Sequence, residues 1–229
     1  MDHIDCKVVK KLVGFKPKDI EIYQNAFVHK SAAKQVGMPS YERLEFVGDS
    51  VVGIIVAEYL YKKYPSENEG FMTRVRTKIV SSKGLSKLAS ILELDLYIKM
   101  NEKAMSLSWN KNPRILEDAF EALMGALFLD KGIEYCKKFM IRLIEKHLDF
   151  DDVVEDTNYK DILMKSAQAR NLGHPVYQIT HEAGPDHAKK FTVKVIINGK
   201  KVSEGSDMSK KQAEQNAAFR AMKALYVVA

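Results

Sequence analysis

Two long apolar stretches carry carboxylates in pairs at helical spacing, and that combination leaves the chain few ways to fold. The first, Tyr41 to Leu60 (YERLEFVGDSVVGIIVAEYL), holds Glu45 and Asp49; the second, Ile115 to Asp130 (ILEDAFEALMGALFLD), holds Asp118 and Glu121. Residues three or four apart share a helix face, so each pair points its oxygens the same way. Glu45 and Asp49 are interleaved with Leu44, Phe46, Val47, Val51 and Val52, and Asp118 and Glu121 with Leu116, Ala119, Phe120, Leu123 and Met124. Helices this apolar cannot face water all round, and clustered carboxylates stay ionised out of water only with a cation between them. Two such helices crossing would bring the four carboxylates together. Hard oxygen donors without histidine or cysteine favour Mg²⁺, with Mn²⁺ as a substitute, over zinc or copper.

A magnesium site built from carboxylates and waters is an arrangement used in phosphoryl transfer, which points to phosphodiester hydrolysis. A ferritin-like carboxylate bundle would need Glu-x-x-His pairs on facing helices, and these positions have none. A metal-free nuclease would usually need two positioned histidines. Here His29 stands alone in Phe27-Val28-His29-Lys30-Ser31 and reads as a hydrogen-bonded structural residue.

From Cys6 to His147 nearly every segment reads with helical period, broken at Phe15-Lys16-Pro17, Gly37-Met38-Pro39, Tyr64-Pro65 and Asn112-Pro113. This predicts an all-α domain over 1–148 with roughly seven helices, the longest near Tyr41 to Tyr64 and another near Pro113 to Lys131. The acidic stretch Leu148 to Thr157 lacks helical periodicity, and residues 149–157 read as a linker. Residues 158–229 read differently, as a small α+β domain in the order αβββα: a helix from Asn158 to Leu172, strands at Val176 to His181 and Lys190 to Ile197, and a third at Lys200 to Ser206. The last two join through Asn198-Gly199, a strong hairpin signal. An alanine-rich helix, Ser209 to Tyr226 with Ser209 as its N-cap, closes the chain.

Of the net charge of +6, residues 153–229 carry +4 and residues 1–152 only +2, so the C-terminal part is where a nucleic-acid-binding module is expected. Lys210 and Lys211 stand at a helix N-terminus, where backbone N–H groups and the dipole already attract phosphate. No apolar run approaches the ~20 residues that span a bilayer, and no secretory signal is visible, so the expected setting is cytoplasmic with no membrane partner. Cys6 and Cys136 read as reduced thiols.

The run Glu42-Arg43-Leu44-Glu45-Phe46-Val47-Gly48-Asp49-Ser50 closely resembles the signature of ribonuclease III. Asp118-Ala119-Phe120-Glu121-Ala122, with Gly125-Ala126 and Leu129-Asp130, resembles that family's second acidic segment. The αβββα module, with Gly184-Pro185-Asp186-His187 before a strand and Ser209-Lys210-Lys211-Gln212 opening the last helix, resembles a double-stranded-RNA-binding domain. The layout is similar to the minimal, bacterial-type members with one catalytic and one RNA-binding domain.

The resemblance implies a double-stranded-RNA-specific endoribonuclease in which Glu45, Asp49, Asp118 and Glu121 hold Mg²⁺ at the scissile phosphate. It implies 5′-phosphate and 3′-hydroxyl ends, short 3′ overhangs and a homodimer whose two sites each cut one strand. Gly48 would allow close helix packing. Phe46 matches an aromatic inserted into the partner subunit, with core packing as the other reading. Glu42 matches an accessory acid, although a first-turn acid stabilised by the helix dipole reads the same. Glu69 matches another, against a capping box formed by Ser66-Glu67-Asn68-Glu69. RNA contacts map to Lys160, Gln168, His187, Lys210 and Lys211. Met164 and Lys165 depart from the polar and acidic residues common on their helix face. Lys99 to Arg114 lacks the usual glycine-rich run, and Trp109 within it reads as either a packing residue or an RNA contact. The competing function is a protein that sequesters duplex RNA without cutting it; the four acids argue against that, since clustered negative charge repels phosphate.

Overall fold

The computed structural model describes residues 4–148, 150–154, 158–185 and 188–227, with the side chains of 151, 152, 226 and 227 left aside. His187 lies outside the described residues. The chain forms two compact units, 1–154 and 155–229.

The first unit is helical throughout. It begins with α1 (Cys6–Val13), α2 (Ile20–Asn25) and α3 (Lys30–Val36), each started by a side chain that accepts otherwise orphaned backbone N–H groups: Asp5, Asp19 and His29. The long α4 (Glu42–Lys63) follows, then α5 (Glu69–Ile79), α6 (Ser82–Ile91) and α7 (Glu102–Ser106). The central α8 (Pro113–Lys131) starts at Asn112, whose side chain accepts from the Arg114 N–H, with proline at the helix start where its missing donor costs nothing. The last long helix is α9 (Ile133–His147).

Nine α-helices thus replace the roughly seven expected from Cys6 to His147, with 3₁₀ turns at Leu94–Leu96 and Trp109–Lys111. The extra ones are five to eight residues long and are set by caps such as Asp5, Asp19 and Asn101, which apolar periodicity does not register. A second difference falls in the expected linker. Phe150–Val154 forms α10, which is part of the first unit and packs against α4: the Phe150 ring lies 6.0 Å from that of Tyr59, and the Lys63 ammonium sits 3.6 Å above it. Phe150, Val153 and Val154 cover apolar surface there, so an acidic composition did not make the segment a free tether.

Helix α8 runs through the core, with every residue from Ala119 to Leu127 buried. Its closest neighbour is α4. A Cβ placed on Gly48 would lie 1.7 Å from the Glu121 carbonyl oxygen, and one on Gly125 would lie 2.1 Å from that of Leu44. The two backbones therefore touch where each has a glycine, as expected for Gly48. At the far end of α8, the Asp130 carboxylate accepts from the Lys18 and Asp19 N–H groups and, at 3.0 Å, from the Tyr23 hydroxyl. That carboxylate is 1% exposed and ties the chain's first segment to the central helix.

The second unit is α11 (Tyr159–Ala169), β1 (Val176–Ala183), β2 (Lys190–Ile197), β3 (Lys200–Asp207) and α12 (Lys210–Val227). The sheet is antiparallel in the order β1-β2-β3, with Val193 opposite Ile179 and Gly205. Asn198 and Gly199 both take positive φ (51° and 72°), the twist a two-residue hairpin needs. Val195 and Ile197 pack on Leu163, Ala217, Ala218 and Ala221. Small residues let α12 lie close: a Cβ on Gly205 would sit 2.3 Å from the Ala217 nitrogen. Ser209 caps α12 as expected, its hydroxyl accepting from the Gln212 N–H at 3.1 Å.

Candidate active site

The glycine crossing of α4 and α8 sets acids beside acids. One carboxylate oxygen each from Glu45, Asp118 and Glu121 lies within 4.8 Å of the other two. Glu45 and Asp118 are half-buried and Glu121 is only 8% exposed. Asp49 is exposed and stands outside this tight group, yet among charged neighbours its pressure on Glu121 is the largest.

Burial, then Asp49, Glu117, Glu45 and Asp118, push the Glu121 carboxyl up to about 8. Burial and then Asp118 and Glu42 raise Glu45. Burial raises Asp118 too, opposed by a 3.4 Å hydrogen bond from the Tyr41 hydroxyl and by Arg114. Among the described residues no lysine or arginine forms an ion pair with Glu45, Asp118 or Glu121. An all-oxygen donor set this close and this poor in counter-charge fits a hard divalent cation.

Glu45 and Asp118 open into a cleft of about 410 Å³, whose wall includes Lys30, Tyr41, Trp109 and Arg114. Glu42 lies at its mouth, accepting from the Ser40 hydroxyl at 3.0 Å and from Lys30 at 3.4 Å; these bonds, Ser40's first, hold its carboxyl below the usual range. Glu69 is in neither the acid group nor the cleft wall. It opens α5 behind Asn68, whose side chain accepts from the Phe71 N–H at 2.9 Å, and its carboxylate accepts from the Thr73 hydroxyl. The expected capping box from Ser66 gives way to this simpler cap, because Asn68 is the residue next to the helix.

His29 is structural in its bonding, as read from the sequence, although it also reaches the cleft wall. Its Nδ1 accepts from the Ser31 N–H at 3.2 Å, the ring is 5% exposed, and the Ser31 hydroxyl accepts from the Asn101 N–H. Burial and then Lys30 lower its pKa from the ordinary 6.5. Phe46 is 78% exposed, which rules out core packing. It shares a shallow apolar depression with Val47, Ile54, Phe128 and Ile133.

In the second unit the candidate RNA contacts divide. Lys160 pairs with Glu214 at 2.6 Å and lies over the Tyr177 ring, so it helps hold α11 to α12. Lys210 pairs with Glu182 at 3.2 Å and covers Phe191. Lys211 and Gln168 are exposed. Lys165 pairs with Asp161 one turn away, and the Met164 sulfur lies 3.2 Å from His174 Nδ1. Sequence reasoning missed Tyr41, Lys30, Glu117 and Arg114. Only Glu117 and Arg114 carried a signal, each being four residues before an acid, Glu121 and Asp118, on one helix; Tyr41 and Lys30 arrive through the tertiary fold.

A family model described as Ribonuclease-III-like matches residues 19–148, and one described as Double-stranded RNA binding motif matches 159–225. A protein of Paramecium bursaria Chlorella virus 1 is 44% identical over 209 residues, 91% of this chain and 75% of that one. Ribonuclease 3 of Chlorobium luteolum is 37% identical over 222 residues, 95% and 80% of the two chains. Among solved structures, the nuclease domain of ribonuclease III from Campylobacter jejuni, described with flexibility in a region involved in dimer formation, is similar with a TM-score of 0.59. It is 34% identical and covers 63% of this chain and 99% of that one.

Proposed function

Because this chain belongs to the ribonuclease III family of double-stranded-RNA-specific endoribonucleases, we infer that Glu45, Asp49, Asp118 and Glu121 are its catalytic acids and hold Mg²⁺, or Mn²⁺ in its place. The observation that carries this reading is the set of three carboxylate oxygens within 4.8 Å of one another, with no ion-paired lysine or arginine among the described residues. A bound divalent cation would neutralise that charge, make a water more acidic and shield the phosphate as negative charge develops. The protein's own side chains do the rest. Tyr41 orients Asp118 through its hydroxyl, and the Gly48–Gly125 contact fixes the spacing between the two acidic helices. Water attacks phosphorus in line, the bond to the 3′ oxygen breaks and that oxygen takes up a proton, leaving 5′-phosphate and 3′-hydroxyl ends.

The second unit selects duplex by shape, with Lys211, Gln168 and His187 as candidate contacts and Lys160 and Lys210 acting partly through their internal ion pairs. The exposed apolar face around Phe46 and Ile54 is the proposed dimer contact. Two sites related by a two-fold axis would each cut one strand and leave short 3′ overhangs. Glu42 and its Lys30 partner line the approach to the acids; Glu69 is assigned to the α5 helix start. Cys6 and Cys136 are free thiols, and we place the enzyme in the cytoplasm, in RNA processing or degradation.

Incubating a long perfect RNA duplex with the purified protein in Mg²⁺, in EDTA, and with Glu45→Ala or Asp118→Ala tests this. Short duplex products that disappear in EDTA and in both variants are expected. Tight duplex binding with no cleavage in Mg²⁺ or Mn²⁺ would replace the nuclease with a sequestering protein.

A further inference from the structure

The cleft beside the acids is not acidic all round. Arg114 is four residues before Asp118 on α8, hence on the same face, and its charge opposes the burial that raises the Asp118 carboxyl. The same cleft wall carries Trp109, the only tryptophan of the chain, 47% exposed. An indole left half in water needs a reason, since burying it is among the most favourable things a fold can do. Flexibility is not that reason, because the turn is fastened on both sides. Asn110 is buried and its side-chain amide donates to the Asp95 carbonyl at 3.1 Å. The Asn112 N–H donates to the Trp109 carbonyl at 2.9 Å while the Asn112 side chain caps α8. Trp109 is thus held in register with the helix that carries Asp118 and Glu121.

We propose that Trp109 and Arg114 are a substrate-positioning pair, Arg114 taking a backbone phosphate of the strand being cut and Trp109 covering the neighbouring ribose. This rests on the nuclease reading above. A-form duplex stacks its base faces away from solvent and offers riboses, 2′-hydroxyls and phosphates across a wide minor groove. A side chain meeting the outside of such a duplex next to a scissile phosphate therefore finds sugar. The indole supplies a flat apolar face and one N–H that only donates, which suits a 2′-hydroxyl oxygen, and a guanidinium suits phosphate. The pair lies in the segment Lys99 to Arg114 that leads into α8.

A single tryptophan makes the test direct. Glu121→Gln protein, arrested in cleavage, is titrated with a short perfect RNA duplex in Mg²⁺ while tryptophan emission is recorded; a saturable change in emission is expected. In the active protein, Trp109→Ala should lower kcat/KM roughly threefold to tenfold, the worth of one hydrogen bond, mainly through KM, and Trp109→Phe should recover part of it. Arg114→Ala should reduce the slope of log affinity against log salt by about one. If Trp109→Ala fails to fold, the emission titration still decides, since it keeps the indole. Emission that stays flat under saturating RNA, in a protein whose wild type cuts the duplex, overturns the pair and leaves the nuclease intact. A wild type that cuts nothing removes the nuclease reading first and the pair with it.

Discussion

Gly48→Ala should separate the contribution of the helix crossing from that of the acids themselves. The added Cβ would sit 1.7 Å from the Glu121 carbonyl oxygen, against 3.4 Å or more for an ordinary contact, so α4 and α8 must part by about 1.7 Å locally. Overpacking of that kind costs about 1–3 kcal/mol, and here the obstacle is backbone, which yields less than a side chain. The functional loss should be larger than the loss of stability. Two ligands of one Mg²⁺, each about 2.1 Å from the ion, are at most about 4.2 Å apart, and the three acid oxygens, up to 4.8 Å apart, already reach slightly beyond that limit and leave no room for further separation. Moving Glu45 farther from Asp118 and Glu121 takes a shared ion out of reach, and an ångström of misplacement can cost about 100-fold in rate. Gly53→Ala is the contrast: on the same helix its Cβ would meet nothing within 4 Å, so it should add about 0.5–1 kcal/mol and leave cleavage alone. Urea unfolding, Mg²⁺-dependent shifts in melting temperature and single-turnover cleavage read the three quantities. A Gly48→Ala protein with wild-type stability and rate would refute the crossing as the device that sets the spacing.

Glu121→Gln bears on pH. A carboxyl held from 4.5 up to about 8 contributes at most about 5 kcal/mol of stability, fully present below pH 4.5 and lost as the pH rises through 8. In EDTA the glutamine variant should therefore gain on the wild type between pH 5 and 8.5, and melting curves that run in parallel would mean Glu121 is not held protonated. Asp130→Ala removes an almost fully buried carboxylate that accepts from Lys18, Asp19 and Tyr23, and should cost about 2–4 kcal/mol in urea unfolding; a loss below about 0.5 kcal/mol would show the tie to be incidental. Phe46→Asp puts a charge on the exposed apolar face and should shift sedimentation toward the monomer; an unchanged sedimentation profile would move the dimer contact elsewhere.

Elements with local signals at both ends were legible residue by residue. Asn112-Pro113 opened α8 where expected, and Asn198-Gly199 fixed the end of β2 and the start of β3. Short helices held by one cap were not legible, nor was α10, which packs on the apolar surface around Tyr59. For the site, helical spacing put each pair of acids on one face but said nothing of depth. Glu45, Asp118 and Glu121 converge, while Asp49 stays in solvent within electrostatic reach of Glu121. The Tyr41 hydroxyl on Asp118 spans 77 residues of sequence, a distance over which local pattern carries no information.

The bond from Lys18 to Asp130 spans 112 residues, and Tyr23 reaches the same carboxylate across 107. On a ribosome adding about 5–20 residues per second, the first helices would wait many seconds for the carboxylate that fastens them. The acids of α4 would likewise wait for α8, so no nascent chain that stops short of Glu121 carries all four acids. A nuclease that works on RNA is made beside messenger and ribosomal RNA, and this topology leaves it unarmed until its catalytic unit is almost finished.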